Sequence, residues 1–159
     1  MLINGFIYGG YCDILKKNGY GKQMKILVID GHGGQMGATL VKEISSRFPQ
    51  TTIMAVGTNA VATASMMKAG AKQGATGENP VIVACRTADV IIGPVGIVIA
   101  DSLYGEITPK MAVAIGQSNA TRILLPLNRC DNLIAGINDL SMNVLISDVL
   151  NKLNAIIKL

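Results

Sequence analysis

The chain has 159 residues, the length of about one domain. Half of its residues are apolar and only 15% are charged, which excludes a disordered tail, a collagen-like repeat and a charge-extended linker. The formal net charge is +4. Because no basic stripe with interleaved aromatic residues appears, this charge predicts a solvated, slightly basic surface and no nucleic-acid partner.

The first 23 residues differ from the rest of the chain. They mix Gly, Tyr, Asn and Lys without strand or helix periodicity, whereas Met24 opens a buried strand that runs into a glycine turn. Nucleotide-binding α/β domains commonly begin with a methionine directly before the first strand. We therefore predict an N-terminal extension at residues 1–23, with Met24 as a possible biological start, and one domain at residues 24–159. An ordinary ordered arm is the alternative for the extension.

From Met24 onward, strand and helix patterns alternate along the chain. Asn59 and Thr108 are predicted helix caps, and either Asp139 or Ser141 caps the last helix. A cap followed directly by proline occurs twice, at Asn79 with Pro80 and at Thr108 with Pro109. Strands are predicted at residues 24–31, 51–57, 71–75, 89–93, 122–127 and 133–137. Helices are predicted at residues 35–48, 60–69, 80–86 and 109–117, and a last one carries the apolar stripe Val144, Leu145, Val149, Leu153 and Ile156.

Apolar strands separated by helices predict an α/β fold. Such strands are buried on both sides, so they require a parallel sheet with helices on both faces. We therefore predict a single doubly wound, mainly parallel sheet of five or six strands, Rossmann-like in architecture.

Neither a membrane span nor a metal site is predicted. The longest uncharged apolar run, residues 90–100, is shorter than the roughly 20 residues that a spanning helix needs, and the N-terminus does not resemble a signal peptide. Cys12, Cys85 and Cys130 are odd in number and lack paired metal-ligand spacing. These features indicate reduced thiols in a cytoplasmic protein.

Polar and glycine residues are concentrated directly after the predicted strands. Ligands of open parallel sheets bind outside the carboxyl ends of the strands, where the strand order reverses. The cofactor-binding residues predicted on this basis are Asp30, Gly31, His32, Gly33, Gly34, Gln35, Met36, Gly37, Thr58, Asn59, Gly93 and Pro94.

The loop after the first strand carries the sharpest pattern. Its glycines allow a phosphate to approach the backbone, and the helix that follows offers free N–H groups and a positive dipole end. We expect the missing side chain of Gly34 to leave room for the ligand. The segment from Gly31 to Gly37 resembles the cofactor loop of prephenate dehydrogenases, with His32 in place of the first fingerprint glycine. A glycine turn that only packs the helix on the strand is the alternative.

The second strand lacks the acidic residue that would bind a ribose 2′-hydroxyl. Thr58 and Asn59 follow this strand instead. The sequence therefore gives poor support to a dinucleotide with a free adenosine ribose. A dinucleotide with a 2′-phosphate, or a mononucleotide, is supported no less well. We therefore predict a small phosphorylated ligand, with NAD(P) or another nucleotide as the cofactor.

Seven short sequence blocks follow one another across residues 24–137, and the extension lies outside them. They cover residues 29–31, 55–59, 74–79, 91–94, 100–103, 105–109 and 128–130. In their order and spacing the chain resembles a family of small bacterial Rossmann-like proteins known only as a domain of unknown function. The resemblance implies the fold and brings no activity with it.

Only a few residues are candidates for a catalytic role. Glu78, Asp101 and Arg129 are the predicted catalytic candidates, and Glu78 and Asp101 could form an acidic group with Glu106. First-turn helix acids and a surface arginine are the alternatives. The residues thus leave open an NAD(P)-dependent oxidoreductase and a non-catalytic nucleotide or metabolite sensor or assembly subunit.

A low charged share also predicts a homo-oligomer, most simply a twofold dimer. A small domain leaves much of its surface exposed, and few charged residues are present to cover it. Residues 95–103 and the face with Met111, Val113 and Ile115 offer the apolar surface for such pairing. Coverage by a second helical layer of the same chain is the alternative.

Overall fold

The computed structural model describes residues 23–127, 132–137 and 140–158. Five parallel strands form one sheet in the order β3-β2-β1-β4-β5, which is the order of the first five strands of the Rossmann fold. The strands are β1 (Lys25–Asp30), β2 (Thr52–Gly57), β3 (Gln73–Thr76), β4 (Val90–Pro94) and β5 (Thr121–Leu125). The predicted doubly wound α/β fold is therefore confirmed.

Helices cover both faces of this sheet. They are α1 (Gln35–Arg47), α2 (Ala60–Lys68), α3 (Glu78–Cys85), α4 (Pro109–Gln117) and α5 (Met142–Ile157), with a short 3₁₀ helix (Val95–Val98) after β4. None of the helices in the described residues is long and apolar enough to cross a membrane.

Strand β1 shows why two helical layers are needed. Its side chains alternate between two separate cores: Ile26 and Val28 pack with α1 and α5, whereas Leu27 and Ile29 pack with α3 and α4. All four side chains are buried. Because a strand that is apolar on both faces must be covered on both, this strand fixes the sheet in the middle of the molecule.

Two predicted helix caps are formed as expected. The Asn59 side chain accepts a hydrogen bond from the N–H of Ala62, and the Thr108 hydroxyl accepts one from the N–H of Met111. Each satisfies an N–H group that has no partner within the helix.

The boundaries of other elements differ from the sequence prediction. Helix α3 starts at Glu78, before Asn79, because Gly77 with its positive φ of 97° ends β3 and serves as the N-cap. Pro80 then lies in the first turn, where its missing N–H costs nothing. The last helix starts after Ser141; Asp139 lies outside the described residues.

A sixth strand at residues 133–137 was predicted, and this prediction is wrong. Residues 132–137 contain no strand; a turn occurs at Ala135 and Gly136, where Gly136 has a φ of 80°. Leu133 is 91% exposed. An apolar run with its side chains in solvent gains nothing from pairing as a buried strand.

The apolar surface predicted for dimerisation is mostly internal. Ile97, Leu103, Met111 and Ile115 are buried in the core between the sheet, α3 and α4, so the second helical layer of the same chain covers them. Val113 remains 54% exposed. The homo-oligomer stays a prediction, with less apolar surface to support it than the sequence suggested.

Candidate functional site

A cavity of about 530 Å³ opens at the carboxyl ends of β1 and β4. These neighbouring strands are where the strand order reverses, because β1 leads to β2 on one side and β4 leads to β5 on the other. Ligands of open α/β sheets bind at this position, and the volume is typical of sites for small molecules. The lining residues are Asp30, Gly31, His32, Gly33, Gly34, Gln35, Met36, Thr39, Pro94, Gly96, Leu103, Leu127 and Met142.

The glycine loop forms the wall of the cavity next to β1. It turns tightly, with the Gly34 N–H donating to the Gly31 carbonyl at 2.9 Å, and His32 adopts a positive φ of 49°. A histidine tolerates this left-handed conformation better than a β-branched residue, as expected for its place in the fingerprint. Helix α1 begins at Gln35. The first N–H groups of a helix have no partner inside it, so those of Gln35 and Met36 are available at the cavity wall.

Asp30, the last residue of β1, is tied to the backbone around it. Its carboxylate accepts hydrogen bonds from the N–H of Gly31 at 2.8 Å and of Gly37 at 2.7 Å, and the residue is only 7% exposed. Burial raises the pKa of Asp30, while the two backbone hydrogen bonds act in the opposite direction. Asp30 therefore caps the first turn of α1, although it also lines the cavity.

The expectation for Gly34 is wrong. A side chain at this position would not enter the ligand space: a Cβ atom would lie 2.5 Å from Cα and 2.7 Å from the carbonyl oxygen of Ala62 in α2. Gly34 also has a φ of 67°. This glycine is needed for the turn and for the close approach of α1 and α2, whereas a Cβ at Gly33 would meet open space.

The rim between β1 and β2 is occupied by Glu106, which the loop before α4 supplies. Its Oε2 accepts hydrogen bonds from the His32 N–H at 3.0 Å, from the Asn59 side-chain amide at 3.2 Å and from the Thr58 hydroxyl. These hydrogen bonds lower the pKa of Glu106 against the opposing effect of burial. Thr58 and Asn59, predicted to bind the cofactor, therefore bind Glu106 and do not line the cavity.

His32 stands next to this carboxylate and contacts the ring of Tyr104. The His32 Nδ1 lies 3.7 Å from Glu106 Oε1, and the His32 and Tyr104 rings meet edge to face with centroids 5.6 Å apart. The turn that carries Tyr104 is strained: Asp101, Leu103 and Tyr104 all have φ between 54° and 62°. Strained backbone of this kind is often found at functional sites.

The other predicted pocket residues have separate roles. Pro94 lines the cavity, but Gly93 is buried below it, where a Cβ would lie 2.5 Å from the Ile29 carbonyl oxygen. Gly37 contributes its N–H to Asp30 and does not line the cavity. Five of the residues that line the cavity were not predicted: Thr39, Gly96, Leu103, Leu127 and Met142. Two of them could have been found from the sequence: Thr39 lies one helical turn after Gln35, and Gly96 follows β4 two residues after Pro94.

Two of the three catalytic candidates lie in the described part of the chain. Glu78 accepts a hydrogen bond from the Thr108 hydroxyl at 2.6 Å and pairs with Lys110 at 3.6 Å, so it stabilises the starts of α3 and α4. Asp101 lies exposed in a turn, and Arg129 lies outside the described residues. In the part of the chain that the structure describes, no three His, Cys, Asp or Glu side chains are placed to hold a metal ion. The hypothesis that Glu78, Asp101 and Glu106 hold a divalent cation is therefore wrong, and an acid–base role for these residues stays a prediction.

Comparison with known proteins places the chain in a family. No curated protein matches it. Among solved structures, a nucleoside-diphosphate-sugar epimerase from Pseudomonas aeruginosa is similar, with 16% identity and a TM-score of 0.40 over 81% of this chain. The chain spans only 46% of that structure's length. A family profile matches residues 25–158, and the chain therefore belongs to the family described as Domain of unknown function (DUF3842).

Proposed function

We propose that the protein binds a nucleotide or another phosphorylated metabolite in the cavity beside the glycine loop. The observation that supports this most is the position of the cavity, at the reversal of strand order and against the start of α1. There the N–H groups of Gln35 and Met36 and the positive end of the helix dipole would face a phosphate.

The remaining walls of the cavity suit the body of such a ligand. Pro94, Leu103, Leu127 and Met142 provide apolar contacts. Ligand sites typically combine apolar walls with a few polar groups that fix the orientation, and the helix start supplies those polar groups here. A cytoplasmic location is part of the same proposal, because cysteines without paired spacing are typical of a reducing compartment.

The test is a binding titration with AMP, NAD and NADP, measured by calorimetry and by the shift in Tm. The blocking variant is Gly33→Val, because Gly33 lines the cavity and a Cβ there has open space. The matched control is Gly116→Val in α4, where a Cβ also has open space and the residue does not line the cavity. We expect at least one of the three compounds to bind wild type and the Gly116→Val variant alike, and to bind Gly33→Val at least tenfold more weakly. Equal affinity for all three proteins would refute the proposed site.

A further inference from the structure

Resting on that proposed function, we propose that Glu106 restricts the site to a compact ligand with one phosphate group, of the nucleoside monophosphate class, and excludes an extended dinucleotide. The fold makes NAD(P) the obvious candidate, since Rossmann sheets bind dinucleotides across the strand-order reversal. The residues on the β2 side of this site do not fit that group.

A side chain of the protein already occupies the rim at the end of β2. A dinucleotide bound to a Rossmann sheet extends past the end of β2, where polar residues hold the adenosine ribose. Here Thr58 and Asn59 hold that position, and both donate to Glu106 Oε2. The carboxylate also lies so close to the glycine loop that a Cβ at Gly31 would be 2.6 Å from Oε2. The protein's own side chain thus fills the rim on which a ribose would lie.

The charges around the cavity also disfavour a second phosphate group. The hydrogen bonds that lower the pKa of Glu106 keep its carboxylate ionised near neutral pH. Glu106 lies at the rim beside His32, Asp30 is the carboxyl group on the cavity wall itself, and among the described lining residues none is Lys or Arg. One phosphate can be held at the start of α1. A second phosphate, or a 2′-phosphate toward β2, would approach the Glu106 carboxylate and be repelled, and the described lining residues supply no Lys or Arg to offset that repulsion.

Glu106 is fixed in place by the turn that precedes it. The turn before it is closed by hydrogen bonds from the Asp101 N–H to the Ile107 carbonyl at 2.8 Å and from the Ile107 N–H to the Ser102 carbonyl at 3.2 Å. The Ser102 hydroxyl also donates to the Gly96 carbonyl, and the side chains of Leu103 and Ile107 are buried. Moving Glu106 aside for a ribose would therefore break several contacts at once.

The experiment compares AMP with NAD in four proteins by calorimetry: wild type, Glu106→Gln, Glu106→Ala and the control Glu43→Ala. Glu43 lies on α1 and does not line the cavity. We expect wild type and the control to bind AMP at least tenfold more tightly than NAD. Glu106→Gln, which removes only the charge, should reduce that ratio, and Glu106→Ala, which also opens the rim, should reduce it further.

Each outcome is informative. If wild type binds NAD as tightly as AMP, the restriction to a compact ligand is overturned while the proposed function stands. If Glu106→Ala weakens NAD binding, Glu106 is instead a ribose ligand, and the inference is again overturned. If neither compound binds wild type or any variant, the proposed nucleotide site fails together with the inference. The ratio in wild type is decisive even where a Glu106 variant does not fold.

Discussion

Replacing Gly34 by alanine tests whether this glycine serves packing and not ligand binding. The new Cβ would lie 2.5 Å from the Ala62 Cα and 2.7 Å from its carbonyl oxygen. These are backbone atoms, so the strain can be relieved only if α1 and α2 move apart. The residue would also hold a non-glycine side chain at a φ of 67°.

The two costs can be added, because one is local and the other lies between helices. A left-handed backbone costs a non-glycine residue about 1–2 kcal/mol, and overpacking costs about 1–3 kcal/mol, so Gly34→Ala should lower the free energy of unfolding by about 2–5 kcal/mol. For a domain of this size, such a loss corresponds to a fall in Tm of roughly 4–20 °C.

Thermal melting followed by circular dichroism, together with urea titration, measures this loss. Gly33→Ala is the matched control: it is the neighbouring residue, its Cβ would meet open space, and its stability should stay within about 0.5 kcal/mol of wild type. If Gly34→Ala melts together with Gly33→Ala, the close approach of α1 and α2 does not depend on this glycine and the reasoning is refuted.

Three further predictions concern the acid response, the extension and the assembly. The folded-state pKa of Glu106 lies below its unfolded value of 4.5. Its contribution to stability is therefore present above that pH and lost as the pH falls through the folded pKa. In urea titrations from pH 7 to pH 3, Glu106→Gln should lose less free energy of unfolding than wild type. A chain that begins at Met24 should melt within a few degrees of the full chain, since the Met24 carbonyl already pairs with the Thr52 N–H at 2.9 Å; a large fall in Tm would show that the extension packs on the domain. In size exclusion with light scattering the full chain should have the mass of a dimer. Val113→Lys should shift that mass toward the monomer, because Val113 remains exposed on α4. A monomer mass for wild type at all concentrations would contradict this.

The fold could be predicted from local patterns because each pattern has a direct physical cause. The β1 strand is apolar at every position from Ile26 to Ile29, which is possible only between two helical layers. Caps such as Asn59 and Thr108 mark helix starts because their side chains reach N–H groups within the same turn. The prediction of a sixth strand at residues 133–137 was wrong because it rested on apolar composition alone. Composition does not show whether a partner strand and a covering layer exist.

The candidate site was predicted less completely, because its contacts join distant parts of the chain. The glycine loop and Pro94 follow strands of the sheet and could be found from that position. Glu106 could be identified only as one of several acids, since its partners His32 and Asn59 lie 74 and 47 residues away along the chain. The lining by Leu127 and Met142 likewise depends on how α5 packs, which no local pattern specifies.

The glycine loop illustrates why such a motif does not by itself establish a dinucleotide site. In this chain three features of the loop serve contacts within the protein. Asp30 accepts a hydrogen bond from the Gly37 N–H, Glu106 accepts one from the His32 N–H, and the missing side chain of Gly34 lets the backbone of Ala62 approach closely. Each of these contacts stabilises the turn between β1 and α1 without a ligand. What they leave available is the start of α1 at Gln35 and Met36 and the cavity toward β4. A ligand would therefore meet a site that is already formed on one side and open on the other, which favours a small molecule that uses only the open half.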